Sequence, residues 1–169
     1  MKFYCLKAFI LVMIAGLLCV GPAVPARAGD DNALKVPRFV SLGKDEIFAR
    51  TGPSLNYPIR WVYKRRGLPV EIIMEYDTWR QIRDVDGGTA WVHQAMLSGH
   101  RTVAIKKPKG VVLRVSADDT ATPVVQLDKG VIAGLDSCTG KWCRIEISGF
   151  KGWAPRSDLW GVYASEEID

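Results

Sequence analysis

His93 and His100 are the only two histidines in the 169-residue chain. No third histidine and no free thiol stands near them, so neither a metal site nor a Cys/His dyad can be completed. The close carboxylates, Asp84 with Asp86 and Asp118 with Asp119, lie in stretches that read as turns, where acids cap and solvate. No glycine-rich phosphate loop follows a strand, and Gly-x-Ser-x-Gly is absent. Neither catalysis, a metal nor a cofactor is expected, and His93 reads as the polar cap of a short helical turn. What the chain does offer is aromatic and basic side chains in alternation. Tyr57 lies near the end of the loop-forming run Thr51 to Pro58, Arg60, Trp61, Tyr63 and Lys64 follow it, and Trp79 comes after a later turn. Rings that pack a ligand's stems beside cations that pair with carboxylates suit an extended peptide. These six residues are the candidate binding site. The plainer reading of each aromatic is core packing, since aromatics dominate small cores. Trp91 and Trp153 read as core, whereas Trp79 and Trp142 fit either core plugs or half-exposed platforms.

Charge narrows the partners. The whole chain is formally +5, from 23 basic and 18 acidic residues. Its first 28 residues have the form of a secretory leader. Lys2 and Lys7 precede an apolar run from Phe9 to Val20, and Ala26-Arg27-Ala28 predicts cleavage before Gly29. The run is shorter than the roughly 18 residues a membrane span needs, so membrane contact is expected only in transit. Cys19 raises a lipoprotein alternative, but Leu18 before it is bulky for that signal. The leader holds three of the basic residues and no acid, which leaves 20 against 18, a net +2. The one basic cluster, Lys64-Arg65-Arg66 with Arg60 upstream, reads first as a solvated strand end. A small cluster, a low net charge and an extracytoplasmic destination argue against nucleic acid. Cys138 and Cys143 are the cysteines left after cleavage, in an oxidising compartment. They flank Thr139-Gly140-Lys141-Trp142, so a disulfide across a hairpin turn is expected rather than a redox pair.

The elements that position these residues are visible as a repeat. Gly67, Trp79, Trp91 and Leu97 are spaced twelve, twelve and six; Gly130, Trp142, Trp153 and Leu159 are spaced twelve, eleven and six. Between the markers lie short alternating segments: Glu46 to Arg50, Ile59 to Tyr63, Leu68 to Glu75, Trp79 to Val85 and Thr89 to Val92. Glycine-rich or polar turns separate them, and His93 to Leu97 makes a helical turn. Arg101 to Ile105 is assigned as the strand that closes the first copy, as Trp160 to Tyr163 closes the second. In the strand after Gly67, alternation sets Val70, Ile72 and Met74 on one face and Glu71 and Glu75 on the other. In the second copy Arg114 takes the place of Arg50, and Pro123 that of Pro58. Strands this short, in units of about 60 residues, predict an all-β chain of two tandem small barrels rather than a wide sandwich. The divisions are a leader over 1–28, a flexible N-terminus over 29–38, barrels over 39–104 and 105–163, and a tail over 164–169.

With those residues in place the chain resembles the bacterial SH3-like domain family. The resemblance rests on Arg-x-Gly-Pro-Ser (Arg50 to Ser54), Tyr57-Pro58, Trp79-Arg-Gln-Ile-Arg83 and Ala90-Trp-Val-His-Gln-Ala-Met-Leu97 with Ser98-Gly-His-Arg-Thr102. The second copy is degenerate: it lacks the Gly-Pro of the loop and adds the cysteine pair. The resemblance implies a periplasmic or secreted adaptor that binds peptidoglycan or an envelope protein without catalysis. A scaffold that pairs through a strand edge, and an accessory subunit of an envelope enzyme, are the alternatives.

Overall fold

Gly67 and Gly130 both hold left-handed backbone, φ 77° and 82°, which glycine adopts without steric cost. Each donates its N–H at 2.8 Å to the last carbonyl of its unit's first strand, Leu42 and Ile105 respectively. The computed structural model describes residues 34–169; the expected leader, its cleavage site and Cys19 lie outside the described residues.

The first sheet comprises β1 (Arg38–Leu42), β2 (Ile47–Arg50), β3 (Ile59–Tyr63), β4 (Pro69–Tyr76), β5 (Trp79–Arg83), β6 (Thr89–His93) and β7 (Leu97–Ser98), with a 3₁₀ turn at Gln94–Met96. The second comprises β8 (Thr102–Ile105), β9 (Val111–Arg114), β10 (Pro123–Leu127), β11 (Ile132–Thr139), β12 (Trp142–Ile147), β13 (Phe150–Pro155) and β14 (Leu159–Trp160), with a 3₁₀ turn at Arg156–Asp158. The strand orders are β3-β2-β6-β5-β4-β1-β7 and β10-β9-β13-β12-β11-β8-β14, the same antiparallel arrangement twice. The fold is therefore all-β, two tandem small SH3-like barrels. Each has its own apolar centre. Ile47, Ala49, Val70, Ile72, Ile82 and Val92 form one; Leu113, Cys138, Cys143, Ile145 and Leu159 anchor the other.

Pairing revises three expectations. Residues 101–105, assigned to close the first copy, instead open the second: β8 pairs with β11 (Ile132 opposite Ala104) and with β14 (Leu159 opposite Ile105). Its true counterpart is β1, which holds the same place in the first sheet. Period-two alternation states that a strand is half-buried but does not name its partner. In β4 a register shift between Ile72 and Met74 breaks the alternation. Met74 is exposed, and Glu71 is 3% exposed rather than solvent-facing. Pro123 lies opposite Arg114, the register held in the first sheet by Ile59 opposite Arg50, not by Pro58.

Glu71 is buried because the second barrel covers it. The Tyr163 hydroxyl donates to its Oε1 at 2.8 Å, and the Arg83 guanidinium pairs with its other oxygen. Around them, Thr102 Oγ1 donates to Gly67 O (2.7 Å) and Trp160 Nε1 to Pro69 O (3.1 Å). The Phe39 ring meets Trp160 edge-on at 5.1 Å and Tyr163 at 4.7 Å. A Cβ at Gly161 would meet Thr102 O of its own barrel at 2.4 Å and Pro69 Cβ of the first barrel at 3.1 Å, so only glycine fits there.

Cys138 and Cys143 are joined as a disulfide across the β11–β12 hairpin. The same register positions in the first barrel are Glu75 and Arg80, which form an ion pair at 2.8 Å. The tail is tied down: Ile168 forms an antiparallel bridge with Cys138, and Arg101 pairs with Glu166 at 2.6 Å.

Candidate functional site

Alternation in β2 buries Ile47 and Ala49 and turns Phe48 and Arg50 outward. Phe48 lies opposite Val62 of β3, and it stays 49% exposed. The loop after β2 is folded back by Arg50, whose Nη1 donates to Leu55 O (3.0 Å) and Tyr57 O (2.7 Å). Thr51 N–H donates to Pro58 O at 3.1 Å and closes the loop's neck. The Tyr57 ring lies on Gly52, where a Cβ would stand 2.5 Å from it. Leu55 is left at the loop's tip, 74% exposed.

The facing wall is the β4–β5 turn. Asp77 has φ 49° there, and Arg80 Nη1 donates to its carbonyl at 2.7 Å. Thr78 O accepts from Gln94 N–H (2.8 Å), which ties the 3₁₀ turn to the hairpin. Trp79 is buried and meets the His93 ring edge-on at 5.7 Å. His93 caps the turn, its Nδ1 accepting from Ala95 N–H at 3.2 Å. In the neutral imidazole that acceptor role puts the proton on Nε2. Together these walls bound a groove of about 730 Å³, with Phe48, Leu55, Trp79 and Met96 as apolar lining and Glu46, Arg50, Asp77 and His93 as polar lining. A mostly apolar cleft with a few fixed polar groups is the usual form of a ligand site.

Of the six residues singled out in sequence, only Trp79 lies in this groove. Trp61 and Tyr63 point to the opposite, inner face of β3 and pack on the first core. Their rings meet edge-on at 6.1 Å, and Tyr63 OH donates to Asp84 Oδ2 at 2.9 Å. Burial, and then this hydrogen bond, push the Tyr63 phenol above the ordinary tyrosine range. Arg60 spreads over the Trp61 ring, 4.9 Å from its centroid. Tyr57 is spent on the loop, and Lys64 reaches out to Glu46 at 3.7 Å with most of its side chain in solvent. The expected groove along Tyr57 to Lys64 is not formed. β3 uses its aromatics to seal the barrel against the Asp84–Gly88 turn, where a Cβ on Gly88 would touch Trp61 at 3.2 Å. Phe48 and Leu55 were missed, although the alternation of Glu46 to Arg50 already sets Phe48 on the face opposite Ile47.

The second barrel keeps the frame with different chemistry. Arg114 Nη1 donates to Ala121 O at 2.6 Å, as Arg50 does to its own loop. Val112 opposite Gln126 replaces Phe48 opposite Val62, and Pro155 opposite Trp142 replaces His93 opposite Trp79.

The sequence model of the bacterial SH3 domain family matches residues 43–99 and 107–161. Two solved structures similar to the chain are those of NlpC2 and NlpC1 from Trichomonas vaginalis. Each is 14% identical, with a TM-score of 0.34. The alignments cover 76% of this chain and 49% of NlpC2, and 75% of this chain and 46% of NlpC1, so the chain spans about half the length of either. No curated protein matches the chain.

Proposed function

The chain belongs to the bacterial SH3 domain family, and from that premise we propose that it is a non-catalytic binding module of the cell envelope, periplasmic or secreted. Its first barrel takes an extended peptide, a peptidoglycan stem peptide or a segment of an envelope protein, in the groove between Phe48, Leu55 and Trp79. The observation that carries this reading is the exposure of Phe48 and Leu55 on the two sides of a concave floor. Large apolar side chains left in water around a cleft mark an interaction surface. The disulfide fits an oxidising compartment. Among the described residues no helix is long and apolar enough to cross a membrane.

In this reading the ligand's alternate side chains pack on Phe48 and Leu55, and its backbone carbonyls accept from His93 Nε2–H. Glu46 and Arg50 select the charges that flank the packed stretch. Retention of residues 29–169 on insoluble peptidoglycan tests it. Phe48→Ser with Leu55→Ser should weaken retention at least tenfold, since burying each such side chain contributes about 1.5 kcal/mol or more. Arg60→Ala should leave retention unchanged. Equal retention of the wild-type chain and the double variant would sink the groove and favour pairing at the outer edge of β3.

A further inference from the structure

Arg156 opens the 3₁₀ turn of the second barrel and is 6% exposed. Its Nη1 donates to three carbonyls of the C-terminal segment: Tyr163 and Ala164 at 3.0 Å and Glu166 at 2.7 Å. Its Nε and Nη2 are buried with no hydrogen-bond partner among the described residues. A buried charged donor left unmade costs more than a neutral one, so this guanidinium is a strong acceptor-seeking group. Arg101 differs at its terminal nitrogens: both hold Glu166 oxygens, at 2.6 and 3.1 Å, and only its Nε is buried without a partner among the described residues.

The anion nearest Arg156 Nη2 is Glu167 Oε1 at 3.8 Å, a Coulombic contact too long for a hydrogen bond. The same oxygen accepts from Gly140 N–H at 3.4 Å, at the far end of the usual range. Glu167 is itself 63% exposed. One carboxylate thus leans over two donors without seating on either. Beside them is a pocket of about 390 Å³ lined by Lys106, Lys141, Trp142, Arg156, Ser157 and Val162. Asp119 is the one acid of that lining, against two lysines and the arginine. The first barrel has Gln94 where the second has Arg156, so the feature belongs to the second barrel alone.

We propose that the second barrel holds a carboxylate-binding pocket, with Glu167 as a weakly seated internal occupant that a peptide's C-terminal carboxylate displaces. The incoming carboxylate accepts from Arg156 Nη2 and Gly140 N–H, the first of these a charge-assisted hydrogen bond of the stronger kind. Lys106 and Lys141 attract it, and the residue before it packs on Trp142. The site is separate from the groove of the first barrel, and it stands or falls independently of that groove.

The test is an NMR titration of residues 29–169 with N-acetyl-dialanine, as the free acid and as its C-terminal amide. The acid should shift the Gly140 and Lys141 amides and the Trp142 indole, and bind at least tenfold tighter than the amide. Glu167→Gln, an exposed change, should tighten the acid several-fold by removing the competitor, and Lys141→Gln should weaken it. Arg156 is left intact because it also ties down the tail. Equal response to acid and amide, or no gain from Glu167→Gln, would overturn the proposal. So would shifts confined to Trp79 and His93 of the first barrel.

Discussion

Glu71 is a carboxylate on a strand where alternation would send it to water, yet it sits between the barrels with Tyr163 and Arg83 as partners. Tyr163→Phe removes one of those partners. The expected cost is about 1.5–3 kcal/mol, the range for a hydrogen bond to a charged group, read as a lower urea midpoint. Burial first, and then hydrogen bonds to Glu71 and Asp84, hold the Tyr163 and Tyr63 phenols above the ordinary tyrosine range. The folded form therefore binds these protons more tightly than the unfolded chain. Stability from them is complete below pH 10.0, the unfolded value, and is lost as pH rises beyond it. A phenolate absorbance titration should show both tyrosines ionising only as the fold opens. Glu166 works in the other direction. Burial alone would raise its carboxyl, but Arg101, the Tyr163 N–H and Arg156 outweigh that and hold it below 4.5. Its contribution is present above pH 4.5 and is lost as pH falls through the lowered value. Acid below pH 4.5 should therefore loosen the C-terminal segment, seen as faster amide exchange at Ile168 and Cys138.

At the scale of elements, the two hairpins solve one problem in two ways. Where the second barrel has Cys138–Cys143, the first has the Glu75–Arg80 ion pair at the same register. Reduction should cost the second barrel about 2 kcal/mol by the loop-entropy estimate for so short a ring. Because the barrels are coupled, the loss should lower the urea midpoint of the whole chain, while residue-resolved amide exchange with and without reductant should show the fastest local opening at Cys138 and Cys143. The disulfide, the repeat frame and most strand positions were legible in the sequence because each rests on local chemistry: turn glycines, alternation, a six-residue cysteine hairpin. Strand membership was not, since β8 carries the same alternation whichever sheet it joins. The candidate site was misread for a related reason. Tyr57, Trp61 and Tyr63 have the residue types of a groove, but whether an aromatic faces in or out depends on the register of β3 against β2. Trp79 lines the groove because it follows the turn that forms one wall.

At the scale of the whole molecule, the barrels are coupled through Phe39, Gly67, Pro69 and Glu71 on one side and Thr102, Trp160, Gly161 and Tyr163 on the other. A fragment of residues 34–100 would lose Trp160 and Tyr163, leaving Phe39 uncovered and Glu71 with Arg83 alone. It should melt well below the tandem chain, which is expected to unfold in one cooperative transition by calorimetry. Two separate transitions in the intact chain would contradict that coupling. The groove of the first barrel and the pocket of the second differ in character, the one lined by Phe48, Leu55 and Trp79, the other by Lys106, Lys141 and Arg156. The most direct test of the central claim is an NMR titration of residues 29–169 with a soluble peptidoglycan fragment that carries its stem peptide. Perturbations gathered on Phe48, Leu55, Trp79 and His93 are the predicted result. No saturable change, or changes gathered instead around Trp61, Tyr63 and Asp84, would contradict it.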